Sequence, residues 1–157
     1  MAVTVSRERP DAPAASALIL ELEGHLASRY PAESRHGFSV ERLIADDVHL
    51  FVLRSDGVPV GCGGILFADD GTERYGEVKR MFVRPGNRGV GFGRRILERL
   101  ADDAREEGVT LLRLETGIHQ REAIGLYESV GFRRRAPFGP YRDDPLSPCY
   151  ELRLGSA

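Results

Sequence analysis

The stretch from Glu77 to Glu107 constrains this chain more than any other, because it sets a strand, a glycine turn and a helix in direct succession. Glu77-Val78-Lys79-Arg80-Met81-Phe82-Val83-Arg84-Pro85 carries β-branched and aromatic residues, and Pro85 ends strand pairing by removing a backbone donor. Gly86-Asn87-Arg88-Gly89-Val90-Gly91-Phe92-Gly93 is a glycine-dense turn. Phe92, Ile96, Leu97, Leu100, Ala101 and Ala104 then fall on one helical face, with Arg94, Arg95, Glu98, Arg99, Asp102, Asp103 and Glu106 on the other. Gly108 is the expected helix stop. Such a unit can hold an anion. The first helical turn leaves backbone N–H groups without partners at the positive end of the dipole, and glycines let a pyrophosphate approach them. Arg88 adds a fixed positive charge beside them.

Three phosphate loops compete for this pattern. A mononucleotide loop requires Lys-Ser or Lys-Thr after its last glycine, whereas Gly91 is followed by Phe92-Gly93. A dinucleotide loop, G-x-G-x-x-G, is met by Gly89 and Gly91 but has Arg94 at the third glycine. Glu115, about 20 residues further on, stands where a ribose-binding acid would be, so this reading stays open. The third pattern, Arg-x-x-Gly-x-Gly, is met by Arg88, Gly91 and Gly93. Here the stretch closely resembles the acyl-CoA loop of the GNAT superfamily of N-acetyltransferases, and the order of elements matches over nearly the whole chain.

The resemblance implies acetyl-CoA as cosubstrate and a set of residues around it. Arg88, Gly89, Val90, Gly91, Gly93 and Arg94 would hold its phosphates. A bulge before the loop would free the Met81 amide for the thioester oxygen, and Phe82 and Val83 would pair with the pantetheine arm as an added strand. Ala123-Ile124-Gly125-Leu126-Tyr127-Glu128, followed by Gly131-Phe132, resembles the second cofactor helix, whose tyrosine protonates the departing thiolate; the matching residue is Tyr127. Gln120 stands where many members carry Asn. Glu77, 11 positions before Arg88, has the spacing of a catalytic glutamate, with a water chain as the alternative base.

The remaining sequence sets the frame. A length of 157 residues, 41% hydrophobic and 29% charged, suits one soluble domain, read as a single N-acetyltransferase domain over 1–157. A net charge of −2 gives no field for nucleic acid, and no apolar run approaches the ~18 residues of a membrane span. Cys62 and Cys149 make neither a metal cluster nor a disulfide framework, so no metal is expected, and reduced thiols fit the cytoplasm. Periodicity and turn signals give the order βαα-βββ-α-β-α-ββ. That is an α/β fold with a mixed, mostly antiparallel sheet of about seven strands flanked by helices.

The acceptor is the least legible part. Lys79 and Arg80 are unusual in mid-strand, and strand alternation places one toward the acceptor and the other toward the helix side. Arg35 and His36 lie in the loop where the family builds its acceptor pocket. These cations point to a small-molecule primary amine carrying a carboxylate, acetylated by direct transfer in a ternary complex. A non-catalytic acyl-CoA-binding module is the rival reading. The family also suggests a homodimer, although no segment specifies an interface.

Overall fold

The computed structural model describes residues 2–35 and 38–155. Seven strands form one sheet: β1 (Val3–Arg7), β2 (His49–Ser55), β3 (Val58–Asp69), β4 (Arg74–Val83), β5 (Leu111–Glu115), β6 (Arg133–Arg135) and β7 (Cys149–Arg153), in the order β1-β2-β3-β4-β5-β7-β6. Neighbours are antiparallel except β4 and β5, which run parallel and are joined by the crossover helix α3 (Phe92–Glu106). The expected seven-stranded, mostly antiparallel sheet is therefore present.

Helices cover both faces. α1 (Pro13–Ala27) begins with a proline in its first turn, where no N–H is needed, and α2 (Val40–Ala45) is capped by Ser39, whose hydroxyl accepts from the Arg42 amide. Leu18, Ile19 and Leu22 of α1 and Leu43 of α2 pack on Leu50, Val52, Cys62 and Phe82. On the opposite face, Ile96, Leu97 and Leu100 of α3 pack with Phe51, Ile65, Val78, Leu112 and Leu114, joined by Tyr127 of α4 (Arg121–Val130). Asp103, expected on the solvent side of α3, is instead buried, because His49 Nδ1 lies 2.8 Å from its carboxylate.

The pairing of β4 decides where a cleft can form. Cys62 faces Phe82 and Gly64 faces Lys79, so Gly63 alone opposes both Arg80 and Met81. Arg80 is the bulged residue and takes a left-handed conformation, φ 56°. The expected alternation of Lys79 and Arg80 therefore does not occur. Both side chains lie on the α1 face: the Lys79 ammonium sits 4.0 Å from the Phe38 ring centre, and Arg80 Nε donates to the Phe38 carbonyl at 3.0 Å. The extra residue then resets the phase, so Met81 and Val83 pack with the α3 core and Phe82 with the α1 core. On its other edge β4 pairs with β5 only at Gly76 and Glu77.

Glycine lets β3 lie this close to the bulge: a Cβ on Gly61 would stand 2.9 Å from the Phe82 carbonyl oxygen. A backbone atom cannot swing aside as a side-chain tip can. Gly61→Ala should therefore cost about 1–3 kcal/mol in urea unfolding; an unchanged midpoint would show that β3 is not pinned against the bulge.

Candidate active site

The glycine loop shapes one wall of a cleft of about 810 Å³. A short 3-10 turn, Pro85–Asn87, leads from β4 into it. Gly89 and Gly91 have φ of 82° and 87°, and Gly91 is the residue before the first turn of α3. Among the described residues, no side chain caps that turn. A Cβ on Gly89 or Gly91 would meet nothing within 4 Å, so it is the left-handed backbone rather than crowding that calls for glycine at both, and both border the cleft. Gly93 serves closeness instead, since a Cβ there would lie 2.7 Å from Leu126 of α4. Arg88 Nε donates to the Val83 carbonyl at 2.8 Å, which fixes its guanidinium along the cleft wall. Arg94 also lines the cleft while reaching Ser129 of α4 at 3.0 Å. Val90 is 60% exposed and is not part of the lining. The opposite wall is the edge of β4, where Met81, Phe82 and Val83 face the cleft beyond the last pairing with β5.

A second cavity, about 90 Å³, continues from the inner end of the cleft. Leu22, Met81, Gln120, Ala123 and Tyr127 line both spaces. Tyr127 is buried, stacked edge-on against Phe132 at 5.6 Å, and its hydroxyl is held protonated far above the ordinary phenol range by burial and by the nearby charge of Glu115.

Two carboxylates wall the inner cavity in different surroundings. Glu77 is 5% exposed; its Oε2 accepts from the Tyr141 hydroxyl and lies 3.1 Å from the Lys79 ammonium. Lys79 in turn donates to the Tyr141 oxygen at 2.7 Å. Glu115, at the end of β5, is pushed up to about 7. Burial is the main cause, assisted by the charges of Glu77 and Asp144 and opposed by the Ser147 hydroxyl and Lys79. A carboxylate titrating near neutrality, beside a protonated phenol, is an acid–base pair able to take one proton and give another.

The loop after α1 closes the far side. Ser34 Oγ donates to Asp144 at 2.7 Å, and Ser147 Oγ donates to the Ser34 carbonyl at 3.2 Å, fastening this loop to the connection between β6 and β7. The Tyr30 hydroxyl accepts from the His119 amide at 2.9 Å, and Gly117 must lack a side chain because a Cβ would overlap the Tyr30 ring. Arg35 and Arg80 line the cavity with Lys79. Arg80 is engaged by Glu23 and Phe38, whereas Arg35 Nε is buried without a hydrogen-bond partner among the described residues. His36 lies outside the described residues.

The structure thus gathers Met81, Tyr127, Glu77, Lys79, Arg80 and Arg35 around one cavity. It adds Tyr141 and Glu115, which the sequence did not mark as site residues of a transferase. Tyr141 sits in a Pro/Gly-rich connection with no periodicity to read. Glu115 had drawn notice as a ribose-binding acid; it instead faces the inner cavity and is not part of the cleft lining beside the glycine loop.

This arrangement has counterparts. The model of the acetyltransferase (GNAT) family matches residues 15–132, more than half of the chain. An IAA acetyltransferase of Azospirillum brasilense is 49% identical over 145 residues, covering 92% of this chain and 94% of that protein. A solved structure from Klebsiella pneumoniae, described as an acyl-CoA N-acyltransferase, superposes with a TM-score of 0.79 at 34% identity, covering 98% of each chain. A GNAT acetyltransferase of Elizabethkingia anophelis, solved with acetyl-CoA bound, shares the fold at a TM-score of 0.69 and 17% identity, over 97% of this chain and 98% of that one. With an uncapped glycine loop before α3, a bulged β4 and a match of this extent, the chain belongs to the GNAT family of acetyltransferases.

Proposed function

We propose that this acyltransferase, acting as one domain over 1–157, moves an acetyl group from acetyl-CoA to a primary amine of a small molecule by direct transfer in a ternary complex. The observation that carries this reading is the junction of the two spaces: the cleft and the inner cavity share Met81 and Tyr127. The residues fit the cosubstrate. Gly89, Gly91 and Arg88 in the cleft wall and the uncapped helix start suit a pyrophosphate, and the free edge of β4 suits an extended amide-bearing arm.

When bound, acetyl-CoA supplies a thioester carbonyl carbon as electrophile and a thiolate as leaving group. The Met81 N–H is the donor offered to the carbonyl oxygen, where charge develops. We assign proton removal from the attacking amine to Glu115, whose carboxylate is ionised above about pH 7. Glu77 is the rival, but its Oε2 is already occupied by Tyr141 and Lys79. Tyr127 gives its phenolic proton to the departing thiolate. In water that transfer runs uphill, from ~10 toward ~8.5, and burial raises the proton affinity of both groups, so the step depends on the hydroxyl standing against the sulfur as the C–S bond breaks. Neither cysteine suits an acyl-enzyme: burial pushes the Cys62 thiol up to about 12 and Cys149 up to about 11.

Saturating acetyl-CoA, at ~100 times its dissociation constant, should stabilise the fold by roughly 2.7 kcal/mol in thermal melts. Gly91→Glu should abolish the ligand-induced shift by placing bulk and negative charge in the cradle, whatever its own baseline; a preserved shift rejects the loop as the phosphate site. Tyr127→Phe keeps the ring against Phe132 and deletes the proton. Turnover should fall roughly 10²–10⁴-fold with acetyl-CoA affinity little changed, and full activity would leave Tyr127 a packing residue.

The two glutamates separate by pH. In wild type kcat/KM should rise through about 7 as Glu115 deprotonates. Glu115→Gln should lose that limb and Glu77→Gln should keep it; the reverse result restores Glu77 as base. Melting gives a second readout. The native chain holds a proton on Glu115 between its ordinary 4.5 and about 7, where the unfolded chain has released it, so stability from this site falls as pH rises across that window. Glu115→Gln should therefore gain on wild type in melting temperature between pH 4.5 and 8.

A further inference from the structure

We infer that the acceptor is a short amino acid whose carboxylate is held side-on by Arg35. This rests on the transferase reading above and names the substrate class of the same site. Among the described residues, Arg35 Nε is a buried side-chain polar atom without a hydrogen-bond partner, and Arg35 lines the inner cavity. Buried donors in native proteins are almost always satisfied, so an orphan in a cavity wall marks a place where a ligand supplies the acceptor. Nε–H and a neighbouring Nη–H form a planar fork that matches the two oxygens of a carboxylate.

The other cations of this wall are already engaged. Arg80 is bonded to Glu23 and the Phe38 carbonyl, and Lys79 to Glu77 and Tyr141. Of the acceptor residues marked in the sequence and described in the structure, Arg35 is the one with a buried donor left open. The negative groups Glu77 and Glu115 stand on the strand walls, while Arg35 stands on the loop after α1. That division suits a molecule with an amine toward Glu115 and a carboxylate toward Arg35.

Size limits the class. At about 10–15 Å³ of such space per water-sized group, a cavity of about 90 Å³ takes roughly six to nine non-hydrogen atoms. Alanine, serine, threonine and aspartate lie in that range; spermidine, aminoglycosides and peptides of three or more residues do not. The fastening of Ser34 to Asp144 and Ser147 keeps the loop from yielding readily to anything longer.

The test measures CoA release from acetyl-CoA with these four amino acids, their carboxamides, spermidine and a short peptide, in wild type, Arg35→Gln and Arg35→Lys. The acetyl-CoA melting shift serves as the check of folding in each variant. The acids should exceed their amides roughly 10–150-fold in kcat/KM. Arg35→Gln should erase that preference by raising KM for the acids far more than for the amides and spare the melting shift, and Arg35→Lys should restore part of it. Turnover with acid and amide at equal rates, a best acceptor of polyamine or peptide type, or an equal loss for acid and amide in Arg35→Gln overturns the amino acid and leaves the transferase. Binding of acetyl-CoA without CoA release for any amine overturns the transferase reading itself, and the inference with it.

Discussion

A single residue held in a left-handed backbone conformation, Arg80, sets the geometry on which the site depends. For a residue with a Cβ this conformation costs roughly 1–2 kcal/mol. Three contacts hold it: the Cys62 thiol donates to the Arg80 carbonyl, Arg80 Nε donates to Phe38, and its guanidinium pairs with Glu23. Had β4 continued regularly, the charged group would have pointed into the apolar packing of α3, where an unpaired cation is costly. The bulge instead turns it toward α1 and shifts Met81 into the next register. Beyond the last β5 pairing, at Glu77, the backbone of β4 is then free to line a cleft.

The same turn concentrates charge behind that cleft. Glu77, Lys79 and Tyr141 satisfy one another, which makes a buried carboxylate and a buried ammonium tolerable together. Glu115, a short distance away in the fold, has weaker compensation, and burial therefore wins and raises its proton affinity. Two carboxylates in one cavity thus stand in different surroundings, Glu77 fixed in a polar cluster and Glu115 raised by burial. Tyr127 completes the set by standing where the cavity and the cleft meet.

The inner cavity is built from two kinds of element. Strands β4 and β5 supply Met81, Glu77 and Glu115 from a rigid frame, while the remaining wall comes largely from the segment after α1 and the connection before β7. Ser34, Asp144 and Ser147 tie these two segments together, so the shape of the cavity depends on residues 110 and 113 positions apart in sequence.

What the sequence determined by itself was whatever depends on local backbone geometry and on periodicity. The alternate glycines at 89, 91 and 93, the apolar stripe of α3 and the stop at Gly108 are each fixed within a few residues, and the structure has all of them. The helix that carries Tyr127 was legible for the same reason, and the structure buries Tyr127 on it. Tertiary structure decided the rest. A bulge before the loop is what the resemblance implied, but that Arg80 takes it and joins Lys79 on the α1 face goes with contacts to α1 and the loop before α2. Asp103 reads as one more solvent-facing acid on α3 until His49, 54 residues earlier, is brought against it. Tyr141 becomes part of the site only because its hydroxyl reaches Glu77, 64 residues away. Proton affinity and hydrogen-bond satisfaction are properties of a surrounding volume, and that volume exists only once distant segments of the chain have packed around it.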